Sequence, residues 1–192
     1  MMADTPVGRR AFFSQGFRKV LGKAMEAVEK RVLPGQYVRP PGALPEPGFL
    51  GACTRCGECT VRCPGRAISP LGPEAGLAAG TPALHPDVAA CLMCLDMPCA
   101  AHCPTDALAV PADGWRNVRM ARVEIDAGTC IAYNGQACGV CAQVCPAGVD
   151  AISLNELGQP SLGAACTGCG MCIIACVTTP KSITATPAGI LS

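Results

Sequence analysis

Apolar side chains at Phe13, Phe17, Val20, Leu21, Ala24, Val28 and Val32 return every three or four residues, the period of one helix face. Arg18, Lys19, Lys23, Glu26, Glu29 and Lys30 fall mostly between them. The pattern predicts an amphipathic helix over residues 1–33, packed on its own domain, on a partner, or on a membrane surface through residues 10–33. Pro34, Pro40, Pro41, Pro45 and Pro47 follow. Proline removes a backbone donor and blocks helix interiors, so residues 34–49 are expected to form an extended linker that wraps the core or tethers the helix. From about residue 50 the pattern becomes one of short strand-like runs: Ala67–Ser69, Ala107–Val110, Ala151–Leu154 and Ser182–Thr184. Arg122–Asp126 alternates apolar and polar, as a half-buried strand does.

Composition changes this picture in one respect. Aromatic residues make up only 4% of the chain, while 16 of its 192 residues are Cys. Ordinary cores draw much of their buried area from large side chains, so this interior needs another filler, and inorganic clusters supply one. Gly 22 and Pro 18 favour short elements and many turns. The net charge is +1, but residues 1–49 carry eight Lys/Arg against four Asp/Glu and the remainder seven against ten. A mildly acidic folded part offers no basic face to nucleic acid. No run of eighteen apolar residues occurs, so no transmembrane helix is predicted.

The cysteines form four complete runs. The first is Cys53, Cys56, Cys59, Cys63 and the second Cys91, Cys94, Cys99, Cys103. The third is Cys130, Cys138, Cys141, Cys145 and the fourth Cys166, Cys169, Cys172, Cys176. A [4Fe–4S] cube offers four irons, each wanting one thiolate. Short gaps let one loop present three sulfurs, and the fourth Cys, on the helix that follows, points to another cube, as in bacterial two-cluster ferredoxins. Disulfide frameworks and structural zinc fit less well, because zinc sites use two Cys pairs set well apart. Sixteen Cys match the irons of four [4Fe–4S] clusters and leave none open, which argues against a catalytic cluster. Gly168 and Gly170 read as residues that let backbone amides approach sulfur. His102 reads as a packing or hydrogen-bonding residue, and Arg116, Arg119 and Arg122 as a solvated face. The predicted fold class is α+β, with ferredoxin-like dicluster units in a four-cluster domain over residues 50–186.

Val38–Leu44, Ala52–Gly57, Gly76–Pro82, the wide Cys94–Cys99 gap, the seven residues before Cys138 and Ala165–Gly170 resemble ferredoxin-type proteins of the NapG/MauM kind, which accompany periplasmic nitrate reductase and methylamine oxidation. The resemblance implies four [4Fe–4S] clusters and a non-catalytic relay from a quinol-linked membrane donor to a partner oxidoreductase. An assembly or maturation factor for a metalloenzyme is the alternative. The family is similar to four-cluster subunits of molybdenum oxidoreductases, whose runs nest. That implies an inner unit over residues 86–149 inside an outer pair, 50–85 with 150–186. Cys176 would then join Cys53, Cys56 and Cys59; Cys63 would join Cys166, Cys169 and Cys172; Cys145 would join Cys91, Cys94 and Cys99; and Cys103 would join Cys130, Cys138 and Cys141. Sequential pairing, first run with second and third with fourth, is the other possibility. Gly8–Phe13 carries the Arg9–Arg10 pair of a twin-arginine signal, but Arg18, Lys19 and Lys23 interrupt the apolar stretch such a signal needs. The expected location is cytoplasmic, at the membrane surface, with export to the periplasm as the alternative.

Overall fold

A computed structural model describes residues 37–188; the helix expected over 1–33, and the twin-arginine motif within it, lie outside them. Where it can be seen, the first part of the predicted linker wraps the core, and the second part is corrected to a helix. Val38, Arg39, Pro40 and Pro41 are buried, and Ala43 forms an antiparallel bridge with Leu108. The Leu44 N–H donates to the Ala107 carbonyl at 3.1 Å and the Ala109 N–H to the Gly42 carbonyl at 2.9 Å. Helix α1 (Glu46–Ala52) follows directly. Pro45 is its N-cap and Pro47 lies in its first turn, where a missing N–H breaks no helical bond. Residues 37–49 are thus part of the folded core.

Two similar halves follow. In the first, helix α2 (Glu58–Val61) leads to strand β1 (Ile68–Pro70), a kinked 3-10 segment (Pro73–Ala78), strand β2 (Pro82–Leu84) and helix α3 (Pro98–Ala101). Strands β1 and β2 pair antiparallel with Ser69 opposite Ala83, and α2 packs on α3. In the second, strand β3 (Ala121–Ile125) leads to helix α4 (Val140–Gln143), strands β4 (Ile152–Leu154) and β5 (Pro160–Leu162), helix α5 (Met171–Ala175) and strand β6 (Ile183–Pro187). Here β4 pairs with β5, β3 with β6 and α4 packs on α5. The β3–β6 ladder, with Val123 opposite Ala185, is the full-length counterpart of the Ala43–Leu108 bridge. The architecture is α+β.

This plan corrects the nested division. The return segment of each half closes on that half's own entry segment: Leu108 meets Ala43, and Ile183 meets Ile125. Residues 107–110 and 122–126, expected to be strands of one inner unit, belong to different halves. The first half is filled by Phe49, Ile68, Leu84, Met97 and Leu108 and the second by Val123, Ile152, Ile173 and Ile183. Val118, Met120 and Cys169 pack into the first of these cores and join the halves.

Candidate metal centres

Each cysteine loop curls through left-handed residues. The residue two places before the third Cys N-caps the short helix with positive φ: Gly57, Met97, Gly139 and Gly170. The residue before the second Cys is also left-handed in three runs: Arg55, Met93 and Gly168. Successive left-handed and helical residues turn N–H groups toward one side and make a concavity suited to negative charge, which a thiolate-ligated cluster carries. The expected role of Gly168 and Gly170 becomes more specific. A Cβ on Gly168 would stand 2.4 Å from the Ala121 carbonyl oxygen, and one on Gly170 2.7 Å from Pro86 Cβ. Both admit a neighbouring segment.

All sixteen cysteines are free thiols. Cys53, Cys56, Cys59 and Cys103 line one cavity of about 280 Å³, closed by Phe49, Pro82 and Leu108. Cys63, Cys91, Cys94 and Cys99 line a second, with Trp115 and Met97. Cys145, Cys166, Cys169 and Cys172 line a third. Cys176 shares the second half's core with Cys141, at the end of the helix that packs on α4. The structure therefore does not bring Cys176 to Cys53, Cys63 to Cys166, Cys145 to Cys91 or Cys103 to Cys130. Cys63, Cys103 and Cys145 each lie in a cavity with the adjacent run, because the hairpin between two runs folds their helices side by side.

The quartets suit a cluster. Among the described residues, no three His, Cys, Asp or Glu side chains converge on a point as they would around a single ion. Twelve of the cysteines line cavities in groups of four instead. Burial pushes the Cys91 and Cys172 thiols up to about 12 and those of Cys59 and Cys99 up to about 11. Metal binding would have to release those protons. Cys103 and Cys176 are also desolvated, which alone would raise them, yet both lie below the usual thiol value. At Cys103 the cause is N–H donors at Thr105, Leu108 and Ala107 together with the Thr105 hydroxyl; at Cys176 it is the Thr178 hydroxyl, N–H groups of Thr178 and Ser182, and the Lys181 charge.

Other side chains hold the loops. The Trp115 indole N–H donates to the Cys94 carbonyl at 3.0 Å. Arg55 donates to the carbonyls of Cys53, Ala79 and Leu77 and ties the first loop to the 3-10 segment. Arg39 pairs with Glu46 at 2.5 Å, donates to Thr81 Oγ1 and the Pro82 carbonyl, and lies over the Phe49 ring at 4.5 Å. His102 is exposed and its Nδ1 donates to the Pro98 carbonyl, as expected of a hydrogen-bonding residue. Arg116, Arg119 and Arg122 are exposed, as a solvated face requires; Arg119 also donates to the Ala164 carbonyl at 2.6 Å, and Arg122 pairs with Glu124. The hydroxyls of Thr105 and Thr178, each two residues past a fourth Cys, went unread in the sequence, although that position was a visible signal.

Comparison with known proteins agrees with this chemistry. The methylamine utilization ferredoxin-type protein MauM of Paracoccus denitrificans is 41% identical over 161 residues, 78% of this chain and 71% of that protein. MauM of Methylophilus methylotrophus is 37% identical over 93% of this chain and 86% of its own. The ferredoxin-type protein NapG of Escherichia coli is 34% identical over 94% and 86%. The chain belongs to the NapG/MauM family of ferredoxin-type proteins. It is an iron–sulfur electron-transfer protein. No family model and no solved structure matches this ferredoxin-type chain.

Proposed function

We propose that the chain holds four [4Fe–4S] clusters in two dicluster ferredoxin units and serves as a relay subunit between a redox donor, quinol-linked, and a partner oxidoreductase. The ligand sets are Cys53, Cys56, Cys59 and Cys103; Cys63, Cys91, Cys94 and Cys99; Cys145, Cys166, Cys169 and Cys172; and Cys130, Cys138, Cys141 and Cys176. The observation that carries this reading is the cavity lined by three cysteines of one run and the fourth of the adjacent run, met three times. Bound clusters would each carry one electron at a potential tuned by hydrogen bonds and burial. The protein's part is to exclude water with Phe49, Met97 and Trp115 and to set the sites in a row. Cys91 of the second run hydrogen-bonds to Cys169 of the fourth, so those two sites are central and the first- and third-run sites terminal. The relay docks on a redox partner protein, at the membrane surface on the cytoplasmic side. Anaerobic purification should yield about sixteen iron and sixteen acid-labile sulfide per chain; stoichiometric zinc with little sulfide would overturn the reading.

A further inference from the structure

We propose that Thr178, with Ser182 behind it, raises the reduction potential of the cluster ligated by Cys176 by donating a hydroxyl hydrogen bond to that cysteine's sulfur. The inference rests on the four-cluster reading and adds a specific tuning device to it.

Thr178 Oγ1 stands 3.2 Å from Cys176 Sγ and 2.8 Å from Ser182 Oγ. The same oxygen accepts the Ser182 N–H at 2.9 Å. Ser182 is 1% exposed, so its hydroxyl proton needs a protein acceptor, and Thr178 Oγ1 is the one at hand. With Ser182 donating both N–H and O–H to Thr178, the Thr178 proton is left for the sulfur. An iron-bound thiolate can only accept, which fixes the direction of the chain: Ser182 to Thr178 to Cys176. Hydrogen bonds in such a series polarise one another. Nearby, Lys181 Nζ donates to the Ile174 and Cys176 carbonyls and brings a positive charge to the same end of α5.

Donors on a ligating sulfur stabilise the more negatively charged, reduced cluster and so move its potential upward. The other fourth cysteines differ. Cys145 is followed by Ala147 and Cys63 by Gly65 at the matching position, and neither side chain can donate. Cys103 is followed by Thr105, whose hydroxyl stands farther off, at 3.9 Å from Sγ. The two hydroxyl-bearing positions therefore serve the two terminal sites, Cys176 more strongly than Cys103, while the fourth cysteines of the two central sites have no hydroxyl at that position.

The test is an EPR-monitored redox titration of the full-length, cluster-loaded protein. T178V keeps the side-chain shape and cannot donate. It should move one of the four one-electron waves to more negative potential, by about tenfold in the reduction equilibrium, or about 59 mV. T178S should restore the wild-type wave, and S182A should move the same wave in the same direction by less. Should T178V not retain its clusters, S182A and T178S carry the test. Overturning results would be four unmoved waves in T178V, an unmoved wave in S182A where T178V is unusable, or a T178S shift as large as that of T178V. A wild-type protein without four such waves would instead contradict the four-cluster reading.

Discussion

The backbone N–H of Cys91 donates to the carbonyl of Cys169 at 2.8 Å, joining the second cysteine run to the fourth across the boundary between the halves. Met120 reinforces the junction by donating to the Thr167 carbonyl at 2.8 Å, and the Thr167 hydroxyl reaches Met93 Sδ at 3.4 Å. Gly168 sits inside this junction with φ +76°. Gly168→Ala is expected to destabilise the protein by about 3 kcal/mol, combining left-handed strain with a clash against β3. Thermal bleaching of the iron–sulfur absorbance should begin at lower temperature; an unchanged profile would show that the junction yields easily.

Arg39 should matter for the first site although it is no ligand. It holds Phe49 and Pro82, which close the cavity of Cys53, Cys56, Cys59 and Cys103. Arg39→Met leaves Glu46, 15% exposed, without its partner. Breaking a buried pair costs about 3–5 kcal/mol, and partial exposure brings the expectation to about 2–3 kcal/mol. Iron analysis of the purified variant should show about four irons fewer than wild type.

Met97 poses two opposed effects. As the N-cap of α3 it has φ +40°, and glycine there would relieve about 1 kcal/mol of left-handed strain. Its side chain, however, is 1% exposed, and removing a buried methionine costs about 2–5 kcal/mol. Packing wins, so Met97→Gly should destabilise by about 1–4 kcal/mol, read as an earlier thermal transition.

Much of the site was legible in the sequence because ligation is local. Three cysteines of each quartet lie within a single loop, and β-forming residues at Ile68, Ile152 and Ile183 mark the strands after three of the runs. Which fourth cysteine completes each quartet was not legible, because it depends on long-range strand pairing. Residues 107–110 and 122–126 look alike as neighbouring strands, yet Leu108 pairs back to Ala43 and Ile125 onward to Ile183. The proline-rich stretch misled for a related reason. Proline density speaks against a helix interior, but it does not say that Val38, Pro40 and Pro41 will be buried or that Pro47 will fall in a first turn.

Cys56 is exposed whereas Cys59, Cys99, Cys141, Cys169 and Cys172 are buried, and solvent access governs the loss of clusters to oxidants and chelators. Treating the native protein with a ferrous chelator under air should release about four irons in a first phase, with Cys53, Cys56, Cys59 and Cys103 becoming alkylatable together. Release of all the iron in one phase would mean that the four sites are equally shielded.

The central claim is that each quartet takes its fourth ligand from the adjacent run of the same half. An iron-edge anomalous map of the anaerobically crystallised, cluster-loaded protein tests it most directly. The account predicts Cys103 Sγ on the cube held by Cys53, Cys56 and Cys59, and Cys145 Sγ on the cube held by Cys166, Cys169 and Cys172. Cys176 Sγ bound to the cube of Cys53, Cys56 and Cys59 would contradict it.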